Sequence, residues 1–109
     1  MPFALMCIAT LPGAQAVSPA PDGGYPNGNT AEGQDALLHL TTGTFNTAIG
    51  LNSLESLTAG KFNTGVGAKT LPSNRADLNT AIGFSALFRN TIGSGNTANG
   101  ASEIGRAHV

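Results

Sequence analysis

His39, His108 and Cys7, together with carboxylates at Asp22, Glu32, Asp35, Glu55, Asp77 and Glu103, are the side chains of this chain that could hold a metal or move a proton. A zinc site needs three or four such ligands at short, characteristic spacings, and neither histidine has partners at those spacings. The carboxylates recur at no fixed interval, so they build no acidic ladder, and the Gly- and Asp-rich calcium nonapeptide does not occur. Gly65-Val66-Gly67-Ala68-Lys69-Thr70 has the outline of a phosphate-binding loop, yet Ala68 stands where that motif needs glycine before the lysine. Gly83-Phe84-Ser85-Ala86 lacks the second glycine of a nucleophile elbow. No catalytic, metal-binding or cofactor-binding residue is therefore expected, and the chain is read as a non-enzyme. Asn and Thr are abundant, but no Asn-x-Ser/Thr sequon occurs.

The elements that would have to position any site are repeats. The pentapeptide NTAIG is written at 46–50 and again at 79–83, with relatives starting at Asn29, Asn63 and Asn96, at intervals of 17, 17, 16 and 17 residues. A fixed period of this size marks one supersecondary unit stacked on itself. Seventeen residues are too few for a propeller blade or a helical-pair repeat, whereas they suit one circuit of a parallel β-solenoid. The fold class expected is all-β with short helical turns: a parallel β-solenoid or β-roll of about five 17-residue coils over residues 29–102.

Numbering each coil from its asparagine assigns a role to each column. Asn29, Asn46, Asn63, Asn79 and Asn96 fill position one, and Thr30, Thr47, Thr64, Thr80 and Thr97 fill position two. Stacked in successive coils, such identical residues form structural ladders. Position three is always small (Ala31, Ala48, Gly65, Ala81, Ala98), so it faces something close, and position five is always glycine, where the chain turns through positive φ or backbone approaches backbone. Leu37, Leu54, Leu71 and Leu87 at position nine are the expected core leucines, together with the alanines of position three. Phe45-Asn46-Thr47-Ala48-Ile49 suits a strand of about five residues, and Val66 and Ile82 replace Ile49 in later coils. Ala36 to Leu40 and Phe84 to Phe88 are read as single helical turns at a corner. The third coil drops one residue around Arg75-Ala76-Asp77, which places that corner in solvent, and Glu32 and Asn99 give the two end coils a polar fourth position, as capping repeats require.

Composition narrows the function classes. With a formal charge of −1 and 10% charged residues, the chain falls outside both the basic nucleic-acid binders and the acidic disordered tails. So little charge favours self-association. Residues 1–16 carry the apolar run Phe3 to Ala9 and the small-x-small pattern Ala14-Gln15-Ala16, and are read as an export signal that begins upstream of Met1; a buried strand is the alternative. About ten apolar residues cannot span a bilayer, so no membrane span is expected. Cys7 would leave with the signal, and Met6 before it is too large for a lipoprotein box. Residues 17–28, with Pro19, Pro21, Gly23, Gly24, Pro26 and Gly28, are read as an extended linker.

The phrase NTAxGxxAL at Asn79 to Leu87, followed by Asn90-Thr91-Ile92-Gly93, resembles the repeats of bacterial tail-fibre-like surface proteins, some of which end in an endosialidase-type chaperone domain. The lead-in from Pro21 to Gln34 is similar to the start of such proteins, and a looser likeness is to the β-roll heads of trimeric adhesins, whose repeats are shorter. The resemblance covers about residues 19–102. It implies an exported, secreted or surface-held, trimeric fibrous protein without catalytic residues; the chaperone domain is absent from this stretch. Residues 103–109 depart from the pattern: Glu103 stands where a small residue belongs, and Ile104 to Val109 match one reading frame of a common sequencing adapter, so this tail is expected to be foreign to the protein. The alternative function is a ligand-binding solenoid, with a glycan or an ice surface as ligand: a regular threonine ladder can order water, although here only one threonine per coil adjoins the asparagine.

Overall fold

The computed structural model describes residues 25–104 together with Arg106 and Ala107; the expected export signal, Cys7, Asp22 and His108 lie outside the described residues. Six strands form one sheet in chain order: β1 (Thr30–Glu32), β2 (Thr47–Ile49), β3 (Thr64–Val66), β4 (Thr80–Ile82), β5 (Asn96–Asn99) and β6 (Arg106–Ala107). The first five are parallel, and the register places Ala31, Ala48, Gly65, Ala81 and Ala98 side by side. The recurring phrase thus lies over its own previous copy, and the chain is a parallel β-solenoid of 17-residue coils. β6 pairs antiparallel with β5 through Asn96 and Thr97.

The first four strands span three residues each where about five were expected. Phe45, Phe62 and Leu78, two residues before each strand, take φ of 56°, 58° and 63°, and the following glycines Gly50, Gly67 and Gly83 take φ of 117° to 124°. Both breaks are left-handed, so extended backbone is confined between them. The glycines are needed on two counts: a Cβ at Gly50 would lie 2.6 Å from the carbonyl carbon of Gly67, and one at Gly33 would lie 2.8 Å from that of Gly50. Position five is therefore a column in which backbone rests on backbone.

The stretches expected to be helical turns are tight non-helical turns. Leu37, Leu54, Leu71 and Leu87 have φ of 48° to 52°, which excludes right-handed helix at their centre. Turns close through Leu40 N–H to the Leu37 carbonyl and Leu57 N–H to the Leu54 carbonyl. Placing leucine in this conformation costs roughly 1–2 kcal/mol per residue. Burial of each side chain contributes about 1.5–3 kcal/mol in return. Leu54 and Leu71 are fully buried, Leu37 and Leu87 nearly so, and they form the core with Ala48, Ala81, Ala86, Ala98 and Leu57, while Ala31 packs against it from the first coil.

Coil-to-coil bonding continues on the turn side. Leu54 N–H donates to the Thr70 carbonyl (2.9 Å), Leu71 N–H to that of Ala86 (3.1 Å) and Leu87 N–H to that of Glu103 (2.8 Å). Glu103 thus carries the backbone of position eight in the fifth coil, although its side chain is exposed where Ser53, Thr70 and Ala86 are buried. The residue missing from the third coil leaves this pattern intact, because Arg75 N–H still reaches the Thr91 carbonyl (2.8 Å) and Arg75 and Asp77 are exposed. At the opposite end the last four residues of the expected linker, Tyr25 to Gly28, lie on the first coil: Phe45 N–H donates to the Asn27 carbonyl (3.0 Å), and Asn29 Nδ2 donates to that of Pro26 (2.8 Å).

Candidate functional site

Among the described residues, the side chains that could carry chemistry do not gather into one cluster. His39 is exposed, and its Nδ1 donates to the Glu55 carbonyl 2.9 Å away in the next coil, a structural contact. Asp77 Oδ1 accepts from the Lys61 amide (2.8 Å), and Glu55 Oε1 accepts from Asn52 Nδ2 (2.8 Å). Among the described residues no three of His, Cys, Asp and Glu come together. The amides of Gly67 and Lys69, which a phosphate loop would aim at its ligand, donate instead to Ile49 and Leu51 carbonyls at 2.7 Å each. Ser85 sits in the same corner register as Lys69, with φ of 58°, and its amide donates to the Ala68 carbonyl.

The asparagines of position one are the most highly organised polar groups in the molecule. Asn29, Asn46, Asn63 and Asn79 are buried inside the coil, while Asn96 is half-buried. Each Oδ1 accepts the backbone N–H of the asparagine one coil on: Asn46 on Asn29 (2.9 Å), Asn63 on Asn46 (2.9 Å), Asn79 on Asn63 (3.0 Å) and Asn96 on Asn79 (2.9 Å). Each Nδ2 crosses its own coil to a carbonyl near the far corner: Asn29 to Gly43, Asn46 to Gly60, Asn63 to Ala76 and Asn79 to Gly93, all within 2.9 Å. One amide therefore both holds a coil closed and fixes the next one in register. Amide groups do not titrate, so this column offers no acid, base or nucleophile.

A second polar column was not foreseen. Position twelve is Leu40 and Leu57 in the first two coils but Asn74 and Asn90 in the next two. Asn74 is fully buried: its Nδ2 donates to Asn63 Oδ1 (3.2 Å), and its Oδ1 accepts from Asn79 Nδ2 (3.1 Å) and Asn90 Nδ2 (2.8 Å). Asn96 Nδ2 then donates to Asn90 Oδ1 (3.2 Å), so the two columns merge into one network. Among the described residues, every buried side-chain nitrogen and oxygen has a hydrogen-bond partner. The signal available in the sequence was the switch from Leu to Asn at fixed register, legible only once position twelve is known to point inward.

The threonines of position two do stack in register, but on the outside of the sheet. With Ala48 and Ala81 fully buried at position three, strand alternation turns positions two and four outward. Thr47, Thr64 and Thr80 are half-buried, and Thr30 and Thr97 are exposed at the ends. Beside them run three apolar columns. Ile49 and Ile82 at position four are each 41% exposed, with Val66 between them. Phe45, Phe62 and Leu78 at position seventeen are 53–59% exposed, and the rings of Phe45 and Phe62 stack at 5.5 Å between centroids. Leu51 and Phe84 at position six are also exposed. Among these four columns Glu32, in the first coil, is the one charged residue. The turn side differs, carrying His39, Glu55, Arg75 and Arg89.

Among the described residues, no helix is long and apolar enough to cross a membrane. No family model, curated protein or solved structure matches the chain.

Proposed function

We propose that this chain is a structural repeat segment of an exported bacterial fibre or adhesin-like surface protein, trimeric in the intact molecule and without catalysis. One observation carries the reading: the buried polar side chains are used to join coil to coil, as in the asparagine network from Asn29 to Asn96. A stack bonded in this way is a rigid spacer, its length set by the number of coils. Antibody labelling of intact producing cells tests the location, and label confined to the cytoplasm overturns it. Sedimentation equilibrium of the full chain tests the assembly, with a mass three times that of the chain expected and a stable monomer contradicting the trimer.

A second reading, a solenoid that binds a glycan or an ice surface, draws support from the outward threonine column of the strand side. Thermal hysteresis or a glycan-array signal from the full chain would favour it over a passive spacer.

A further inference from the structure

We infer that the strand side of the solenoid, with its apolar columns Phe45–Phe62–Leu78 and Ile49–Val66–Ile82, is the surface on which a second copy of this chain packs laterally, coil beside coil. The inference rests on the assembled-fibre reading above and assigns that assembly to one face.

Four observations lead to it. The strand-side columns hold one charged residue, Glu32, while exposed Lys61 and Asp77 flank them at position sixteen, and depletion of charge at the centre is what distinguishes interfaces from ordinary surface. The apolar columns are bounded: Ile49, Val66 and Ile82 end at Glu32 and Asn99 in the outer coils, and Phe45, Phe62 and Leu78 end at Gly28 and Gly95, so an apolar centre has a small or polar rim. Side chains of this size and exposure leave on the order of 50–100 Å² uncovered each, about 500 Å² per copy, so a pair of copies would remove roughly 1,000 Å², the lower bound of a specific interface. Finally, the columns repeat with the coil, and a second copy has the same repeat, so ridges and furrows can match along the whole length of two neighbouring copies. A flat ice surface would not call for the exposed Phe45 and Phe62 rings beside the threonines.

The test is sedimentation velocity on the full chain from about 1 to 100 µM, with Phe62→Asn and Val66→Lys on the strand side, Leu38→Lys on the turn side, and circular dichroism to verify folding. Phe62→Asn keeps a residue that tolerates the left-handed backbone there, so it should fold even if the lysine variant does not. The expected result is concentration-dependent association of the wild type, weakened at least tenfold by either folded strand-side variant and unchanged by Leu38→Lys. A wild type that stays monomeric to 100 µM overturns the inference. So does equal weakening by Leu38→Lys, or no effect of Phe62→Asn. Surface labelling of cells together with a monomer would defeat this interface while leaving export standing. Thermal hysteresis or glycan binding by a monomer, abolished by Phe62→Asn, would give the face to that ligand instead.

Discussion

Ser53 Oγ and Thr70 Oγ1 lie 2.7 Å apart over the space that a methyl group at residue 65 would fill. A Cβ there would meet the two oxygens at 2.6 and 2.7 Å, and the Ser53 hydroxyl donates to the Gly65 carbonyl at 3.0 Å. Gly65 is not in the left-handed region, so space alone selects glycine. Where position three is alanine at 31 and 81, position eight of the same coil is the smaller Ala36 or Ala86.

Gly65→Ala is therefore expected to destabilise by about 1–3 kcal/mol through overpacking. In a Ser53→Ala background the same substitution should cost at least about 1 kcal/mol less, since contacting residues are not additive. Urea unfolding of the four chains measures this cycle, and an unchanged penalty would refute the pairing.

The asparagine column predicts a pH-dependent variant. Asn46→Asp replaces the Nδ2 donor to the Gly60 carbonyl with an acceptor in a fully buried position. Burial and facing carbonyls hold such a carboxyl protonated, raising its folded pKa above the unfolded value of about 3.9. Stability is then retained below that unfolded value and lost as pH rises through the folded one. The variant should melt close to wild type near pH 3.5 and well below it at pH 7; parallel melting curves at both pH values would contradict the assignment.

The glycine column separates two costs. Gly50→Ala brings both a left-handed strain and a Cβ 2.6 Å from the Gly67 carbonyl carbon, whereas Gly100→Ala, at φ of 137°, meets nothing nearer than Glu103 Oε2 at 3.7 Å. Strain alone is of order 1–3 kcal/mol. Gly100→Ala should stay in that range and Gly50→Ala should exceed it clearly in denaturant titration; equal losses would show that stacking distance is irrelevant.

The corner at position seven offers a stabilising change. Lys69 is exposed at φ of 59°, in register with Asn52 at φ of 57°. Asparagine occupies this region more readily than lysine. Lys69→Asn is expected to gain about 0.5–1 kcal/mol, read as a rise in Tm, and a fall would contradict the conformational argument.

Much of the coil was legible because its constraints recur: identical spacing fixes the stacking, and Ala48, Gly50 and Leu54 announce a small, a turning and a buried position in every copy. Less visible was how far the chain departs from ordinary strand and helix. Leucine and phenylalanine are poor markers of left-handed backbone, yet Leu54 and Phe62 adopt it, because stacking on a neighbour outweighs a local preference. The outward turn of the threonines followed from alternation once the alanines were known to be buried. Asn74 escaped notice for a different reason: its role depends on Asn63, Asn79 and Asn90, which are brought together only when the coil closes.

The shortened third coil has a practical consequence. Asn63 finds the Ala76 carbonyl as readily as Asn46 finds that of Gly60, although one residue fewer separates them. Sequence length at that bend is decoupled from the columns on either side, which makes the exposed Arg75 side chain a natural place to attach a label while the contacts between Asn74 and Ala76 beneath it keep their order.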